Sequence, residues 1–107
     1  MAKVFNALNS GSGGVVDGAI TSGEYEIGST GRATVDLHDS DKGDLGGAVL
    51  KTEISTDAGG TYKPHRVDNQ AVQYNINAEE TTRVRWTLEQ LKASPDVTLS
   101  VLGAAAV

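Results

Sequence analysis

The chain has 107 residues, no cysteine and a formal net charge of −5, so it has the length of one domain and cannot form a disulfide or a thiolate metal site. Because acidic residues outnumber basic ones, the chain lacks the basic surface that attracts nucleic acids and anionic membranes, and we expect neither as a partner. No apolar run approaches a membrane span and no secretory signal is recognisable. The lack of cysteine fits assembly in a reducing cytoplasm.

The first 14 residues divide into a short apolar segment and a flexible linker. Val4, Phe5 and Leu8 give residues 2–8 their apolar character, and residues 9–14 (NSGSGG) have the composition of a flexible joint. An apolar segment on such a joint predicts an N-terminal arm that binds a neighbouring molecule through Val4, Phe5 and Leu8. The alternative is a frayed terminus that contributes one edge strand.

From residue 19 onward, apolar and polar residues alternate in short runs, which is the pattern of half-buried strands. In residues 32–38, for example, Ala33, Val35 and Leu37 point to one face and the polar residues between them to the other. The same period predicts strands over residues 19–28, 32–38, 48–55, 61–65, 71–77, 82–88 and 96–102. Turns and loops separate them at residues 29–31, 39–47, 66–70, 78–80 and 89–95, the last with room for one helical turn.

The spacing of these strands, together with thirteen glycines for tight turns, predicts an all-β fold. We expect a single antiparallel β-sandwich or jelly-roll-like barrel of about seven or eight short strands. The predicted organisation is an arm and linker over residues 1–14, the sandwich over residues 15–103, and a small apolar tail over residues 104–107.

Residues 55–62 (STDAGGTY) match the Asp-box pattern S-x-D-x-G-x-T-aromatic, a turn that joins two strands. In such a turn the carboxylate of Asp57 accepts backbone hydrogen bonds, Gly59 takes a positive φ, and Tyr62 packs beneath. A single copy in a short chain predicts a β-hairpin and no ligand. Pro64, in the second strand of this hairpin, ends that strand or places it at a sheet edge.

Three aspartates in the polar loop, Asp39, Asp41 and Asp44, resemble a calcium loop, but their spacing differs from that of an EF-hand and no helices flank them. We interpret them as solvated, with ion binding as the alternative. The two histidines, His38 and His65, belong to no metal-binding motif, and we interpret both as surface residues. No metal site is therefore predicted.

No catalytic motif is recognisable in the chain. No serine lies in a nucleophile-elbow context and no phosphate-binding glycine motif occurs. Glu79 and Glu80 adjoin each other in a turn, which is a poor geometry for acid and base groups that must act across a cleft. We therefore expect a protein with no catalytic residues and no cofactor.

Arg83 and Arg85 project from one face of the predicted strand over residues 82–88, and Trp86 faces the other way. Two arginines on one strand face can bind the carboxylates of a partner protein. The alternative is cross-strand pairing with Glu53 or with aspartates on the adjacent strand.

Trp86 is the only tryptophan and is expected in the core. A carbohydrate-binding module would need Trp86, Tyr25, Tyr62 or Tyr74 to lie exposed in a row. The alternation places Trp86 and Tyr74 with aliphatic residues, which disfavours that function.

Residues 50–65 (LKTEISTDAGGTYKPH), followed by a strand, an acidic turn, then TTRVRWTL and DVTLSVLG, resemble small all-β structural proteins of tailed bacteriophage virions. The matching positions are Ser55, Asp57, Gly59, Gly60 and Tyr62 in the hairpin, then Val84, Arg85 and Trp86, and finally residues 97–103. The resemblance covers the C-terminal part of the chain.

The resemblance implies a capsid decoration (cement) protein on the outer surface of the virion. Such a protein binds the major capsid protein and its own copies, here expected as a homotrimer, and stabilises the shell by contact alone. The alternatives are another virion component, at a head–tail or fibre-base position, and a carbohydrate-binding module. The candidate contact residues are Val4, Phe5, Leu8, Arg83 and Arg85.

Overall fold

The computed structural model describes residues 2–6, 20–39, 49–89 and 97–107. Within them ten strands occur, in chain order β1 (Ala2–Asn6), β2 (Ile20–Thr21), β3 (Tyr25–Ile27), β4 (Arg32–Asp39), β5 (Val49–Ser55), β6 (Lys63–Asp68), β7 (Val72–Asn77), β8 (Arg83–Glu89), β9 (Val97–Leu102) and β10 (Ala104–Ala106). Seven of these strands have five to eight residues, and three have only two or three. These segments contain no helix, and therefore none long and apolar enough to cross a membrane.

The strands form two antiparallel sheets. The first sheet has the strand order β1-β9-β4-β7, and the second has the order β10-β3-β8-β5-β6 with β2 also paired to β8. Their apolar faces pack against each other and enclose one core. The predicted all-β antiparallel sandwich is confirmed, and its strands of five residues or more match the expected number.

The core is built from alternate residues of both sheets, as the period of two requires. The predicted inward residues of β4, Ala33, Val35 and Leu37, are at most 1% exposed. The whole buried apolar set is Ile27, Ala33, Val35, Leu37, Leu50, Tyr74, Ile76, Val84, Trp86, Leu88, Leu99 and Val101. Burying one Val or Leu side chain contributes about 1.5–3 kcal/mol, so this shared core is the main source of stability.

The strand predicted over residues 19–28 is divided into β2 and β3, which both pair with β8. Ser22 lies in the break between them. Its N–H donates to the Trp86 carbonyl (2.8 Å), and its hydroxyl oxygen accepts from the Trp86 N–H (2.9 Å). Because a side chain supplies one of the two bonds that a backbone pair would make, the regular ladder is interrupted there.

The predicted boundary between a strand at 61–65 and a loop at 66–70 is wrong, because β6 continues to Asp68. The register between β5 and β6 shifts between Thr52 and Glu53, and Glu53 lies opposite Pro64. A bulge at the outer strand of a sheet accommodates a proline, which has no N–H to donate, and the strand runs on past it. The expected edge position of Pro64 is confirmed.

The two chain ends also belong to the sheets. Ala104–Ala106, predicted as part of a tail, pairs with β3 as β10, because Gly103 (φ 91°) redirects the chain from the first sheet to the second and accepts a hydrogen bond from the Gly28 N–H (3.0 Å). The backbone of Ala2–Asn6 pairs with β9, as in the edge-strand alternative for the N-terminus. Residues 7–14, the predicted linker, lie outside the described residues.

Candidate interaction surfaces

The β5–β6 hairpin has the Asp-box geometry that the motif predicts. The Ser55 hydroxyl donates to Asp57 Oδ1 (2.6 Å) and the Thr61 N–H donates to the same oxygen (2.8 Å), while the Gly59 N–H donates to Ser55 Oγ (2.9 Å). The Ser55 hydroxyl and then the Thr61 N–H favour the ionised carboxylate and lower the pKa of Asp57. Gly59 and Ala58 have positive φ values of 89° and 59°. The motif's polar groups serve the turn itself, so its role is to fix the hairpin.

The outer face of the second sheet carries a cluster, called here the charged face, made of Glu24, Glu26, Glu53, Tyr62, Arg83 and Arg85. Arg85 Nε donates to Glu53 Oε1 (3.0 Å), and the two residues lie directly opposite each other on β8 and β5. The Arg85 guanidinium also lies over the Tyr62 ring, 4.0 Å from its centroid. The predicted packing of the Asp-box aromatic therefore occurs against an arginine.

The second arginine of the charged face binds two glutamates. Arg83 Nε donates to Glu26 Oε1 (3.4 Å), directly opposite on β3, and Arg83 Nη1 lies 3.8 Å from Glu24 Oε1. The Tyr62 hydroxyl donates to that same Glu24 oxygen (2.6 Å). Burial, followed by the hydrogen bond and negative charge of Glu24, raises the pKa of Tyr62 to about 12. Tyr62 thus links the hairpin to the segment that enters β3.

Arg83 and Arg85 are paired across strands, as in the alternative to partner binding, because each has a glutamate partner within its own chain. Partly exposed pairs of this kind contribute about 0.2–1 kcal/mol, so they orient the side chains more than they stabilise the fold. A partner's carboxylate would have to compete with these glutamates. Binding of a partner by the two arginines stays a prediction.

The apolar residues predicted to bind a neighbour, Val4, Phe5 and Leu8, are not placed on a surface. The side chains of Val4 and Phe5, and all of Leu8, lie outside the described residues. What is described is the backbone of β1, which pairs with β9 at the end of the first sheet. Binding through these three residues also stays a prediction.

The predicted core position of Trp86 is confirmed, since its side chain is 0% exposed. Trp86 Nε1 donates to the Tyr74 hydroxyl (3.1 Å), whose oxygen lies 2.6 Å from Thr52 Oγ1. Burial raises the pKa of Tyr74, and its hydrogen bonds oppose that rise. The Tyr25 ring meets Trp86 edge-on with centroids 5.5 Å apart. Trp86 and Tyr74 are therefore structural and are not part of an exposed sugar-stacking row.

The candidate ion ligands lie mostly outside the described residues. These are Asp41, Asp44 and the side chains of Asp39 and His38. His65 is exposed on β6. Within the parts of the chain that the structure describes, no three His, Asp or Glu side chains are grouped so that they could hold a metal ion.

Three of the four outermost strands have features that hinder pairing with another chain. The register of β1 shifts between Lys3 and Phe5, and β6 contains a register shift and Pro64. The third, β10, has only three residues. Irregular, proline-containing or very short edge strands are poor templates for a further strand.

The fourth outermost strand, β7, has none of these features. Its six residues (VQYNIN) pair with β4 in unbroken register and include no proline and no charged residue. Gln73, Asn75 and Asn77 are exposed, whereas Tyr74 and Ile76 face the core. Among the described strands none pairs with the other side of β7, which is called here the open edge.

The open edge is not among the candidate contact residues identified from sequence. An alternation of apolar and amide residues is typical of any half-buried strand, and only the strand order shows that β7 ends a sheet. The sequence feature that could have pointed to the open edge is a strand of six residues without charge or proline, in a chain with a net charge of −5.

No protein-family model matches the chain, and a comparison with curated proteins found no significant match. The functional assignment therefore depends on the geometry of these surfaces and on the resemblance carried by residues 50–103.

Proposed function

We propose that this chain is a structural assembly protein of a tailed-phage virion, a capsid decoration protein that binds neighbouring proteins by contact alone. The observation that carries the proposal is the open edge of β7, which has six uncharged residues paired with β4 in unbroken register. Such an edge presents a row of N–H and C=O groups that pair with an extended segment of another chain. Main-chain pairing of this kind gives affinity without a pocket.

On the outer face of the first sheet, beside the open edge, one uncharged row supports the proposal, although Arg32 and Asp36 flank it on β4. Leu102, Thr34 and Asn75 lie side by side across β9, β4 and β7. Leu102 is 59% exposed, and the Thr34 hydroxyl donates to Asn75 Oδ1 (2.8 Å). The cores of protein interfaces are depleted of charged residues. In a chain with a net charge of −5, an uncharged row lets another molecule approach without facing like charges in that row.

The resemblance to phage structural proteins supports the major capsid protein as the partner on the shell and the virion surface as the location. An acidic protein fits a protein partner better than a nucleic acid, since phosphate binding requires basic side chains. In this mechanism each copy contributes a modest contact area, and the shell is stabilised because many such contacts act together.

Cosedimentation with shells assembled from the major capsid protein of the same virion tests the proposal. The chain is expected to pellet with the shells, and Asn75→Lys, which puts a charge on the open edge, should weaken binding about tenfold or more. Thr56→Lys is the matched control, because it adds the same charge on the exposed β5–β6 hairpin. A folded chain that does not pellet with the shells, or equal weakening by both variants, would contradict the proposal.

A further inference from the structure

One backbone hydrogen bond determines which peptide groups of β7 point towards the open edge. The Ala78 N–H donates to the Gly31 carbonyl (3.0 Å), so these two residues form a hydrogen-bonded pair next to the β4–β7 ladder. Hydrogen-bonded and non-hydrogen-bonded pairs alternate along an antiparallel ladder. By this alternation, the N–H and C=O groups that face the open edge belong to Gln73, Asn75 and Asn77.

The side chains agree with this assignment. Residues of a non-hydrogen-bonded pair approach each other more closely than those of a hydrogen-bonded pair. Thr34 and Asn75 lie directly opposite each other, and their side chains are joined by the 2.8 Å hydrogen bond from Thr34 Oγ1 to Asn75 Oδ1. This contact agrees with a non-hydrogen-bonded pair, in which the N–H and C=O of Asn75 point away from β4 to the open edge.

Building on the proposed function, we propose that the open edge binds a second copy of this chain, paired antiparallel with β7 about a two-fold axis at Asn75. In that register Asn75 lies opposite its own counterpart and Gln73 lies opposite Asn77, so the three open peptide groups of each copy exchange about six hydrogen bonds. If the register shifted by one residue, the unpaired N–H and C=O groups of one β7 would lie opposite residues of the other β7 whose own groups are already bonded to β4. If the register shifted by two residues, one of Gln73, Asn75 and Asn77 would have no residue opposite it in β7 of the second copy.

The side chains of β7 fit this register on both faces. On the core side, Tyr74 lies opposite Ile76 of the second copy, which extends the apolar row across the junction. On the outer side, amides face amides, and neither strand brings a charge to the contact. Two copies of a chain with a net charge of −5 can therefore pair here without like charges on the two β7 strands.

We expect the two copies to pair through the first sheet only, because β6, an edge strand of the second sheet, is unsuited to pairing. Its register shift and Pro64 make it a poor template for a further strand. The resulting contact is isologous, with the same patch on both copies, and it closes as a dimer. The trimer expected from the resemblance would require a different, head-to-tail contact.

Disulfide formation from introduced cysteines tests the register, because the chain has no cysteine of its own. In the proposed dimer the two Cα atoms at position 75 lie about 5.5 Å apart, which is within disulfide range. Thr34→Cys is the matched control, since its two copies lie three strand spacings, about 14 Å, apart. Asn75→Cys should form the covalent dimer at least about tenfold faster than Thr34→Cys on non-reducing gels.

A second arm of the experiment tests the pairing of the flanking positions. Gln73→Cys mixed with Asn77→Cys should form a covalent dimer, whereas each alone should not, because identical copies are then about 14 Å apart. Light scattering of the unmodified chain should give a mass near 22 kDa, about twice the 11.1 kDa of one chain.

Equal disulfide rates for Asn75→Cys and Thr34→Cys, both folded by circular dichroism, would overturn the self-pairing. If the unmodified chain still binds the shells in that case, and Asn75→Lys weakens this binding about tenfold or more, the open edge binds another protein and the proposed function stands. If neither shell binding nor cross-linking is seen, both proposals fail.

Discussion

The Tyr74 hydroxyl joins the two sheets through buried hydrogen bonds, and Tyr74→Phe tests its contribution to stability. Tyr74 lies on β7 in the first sheet, and its partners Trp86 and Thr52 lie on β8 and β5 in the second. The oxygen accepts from Trp86 Nε1 at 3.1 Å and lies 2.6 Å from Thr52 Oγ1. The substitution removes this oxygen and keeps the ring.

The expected loss is large because both partners are left inside the core without a hydrogen bond. Trp86 is 0% exposed and Thr52 is 1% exposed, so water cannot replace the lost partner unless the core opens. Leaving one buried polar group unsatisfied costs about 1–3 kcal/mol, so two such groups give about 2–6 kcal/mol. That is a substantial share of the 5–15 kcal/mol by which a typical domain is stable.

Urea unfolding measures this loss, with the fluorescence of the single tryptophan and circular dichroism as independent probes. With a slope of about 2 kcal/mol per M of urea, the midpoint should fall by about 1–3 M while the slope itself stays unchanged. Tyr25→Phe is the matched control, because Tyr25 is half-buried and contacts Trp86 through its ring, at a centroid separation of 5.5 Å. The control should stay within about 0.5 kcal/mol of the unmodified chain. A Tyr74→Phe variant as stable as the control would refute the reasoning.

Thr52→Val separates the two hydrogen bonds of Tyr74. It leaves the Trp86 bond in place, and we expect it to cost about 1 kcal/mol. In the double variant with Tyr74→Phe, the Thr52 hydroxyl is no longer present to be left unsatisfied, so the total cost should be less than the sum of the single costs. Strict additivity would show that the Tyr74 and Thr52 side chains do not interact.

Three further predictions concern the charged face and the backbone. The free energy of unfolding should fall as pH rises from about 10 towards 12, because the unfolded chain then loses the proton that Tyr62 (pKa about 12) retains in the folded state. In Tyr62→Phe the tyrosinate absorbance should lose one late titration and keep that of Tyr74, whose pKa burial also raises. Gly103→Ala should cost at least about 2 kcal/mol in thermal unfolding, since φ is 91° and the new Cβ would overlap the Arg32 carbonyl oxygen. Thr81→Gly should stabilise the chain by about 1 kcal/mol in the same assay, because Thr81 has a φ of 79°; a lower melting temperature would contradict this.

The parts of the fold that the sequence predicted are those that local patterns determine. Alternation identified the buried residues of β4 and the core position of Trp86, since a period of two leaves little freedom about which face is apolar. The Asp-box predicted the β5–β6 hairpin because its hydrogen bonds span only residues 55–61.

The parts that were not predicted depend on neighbours distant in sequence. β6 continues past Pro64 because its pairing with β5 skips His65, and nothing near Pro64 in the sequence indicates this register shift. β10 consists of three alanines, whose strand character comes from pairing with β3. The partners of Arg83 and Arg85 likewise follow from strand order, which places Glu26 and Glu53 opposite them.

The same dependence explains why the open edge of β7 was found only in the structure, and why it is informative there. Every sheet that is not closed has edges, and an isolated protein remains soluble when those edges are poor templates. Here β1, β6 and β10 are irregular, interrupted by proline or very short. One charged side chain at Asn75 would be enough to give β7 similar protection. Asn75 is exposed, so the fold itself does not require this position to be uncharged. We propose that the uncharged edge is retained for pairing with another protein molecule.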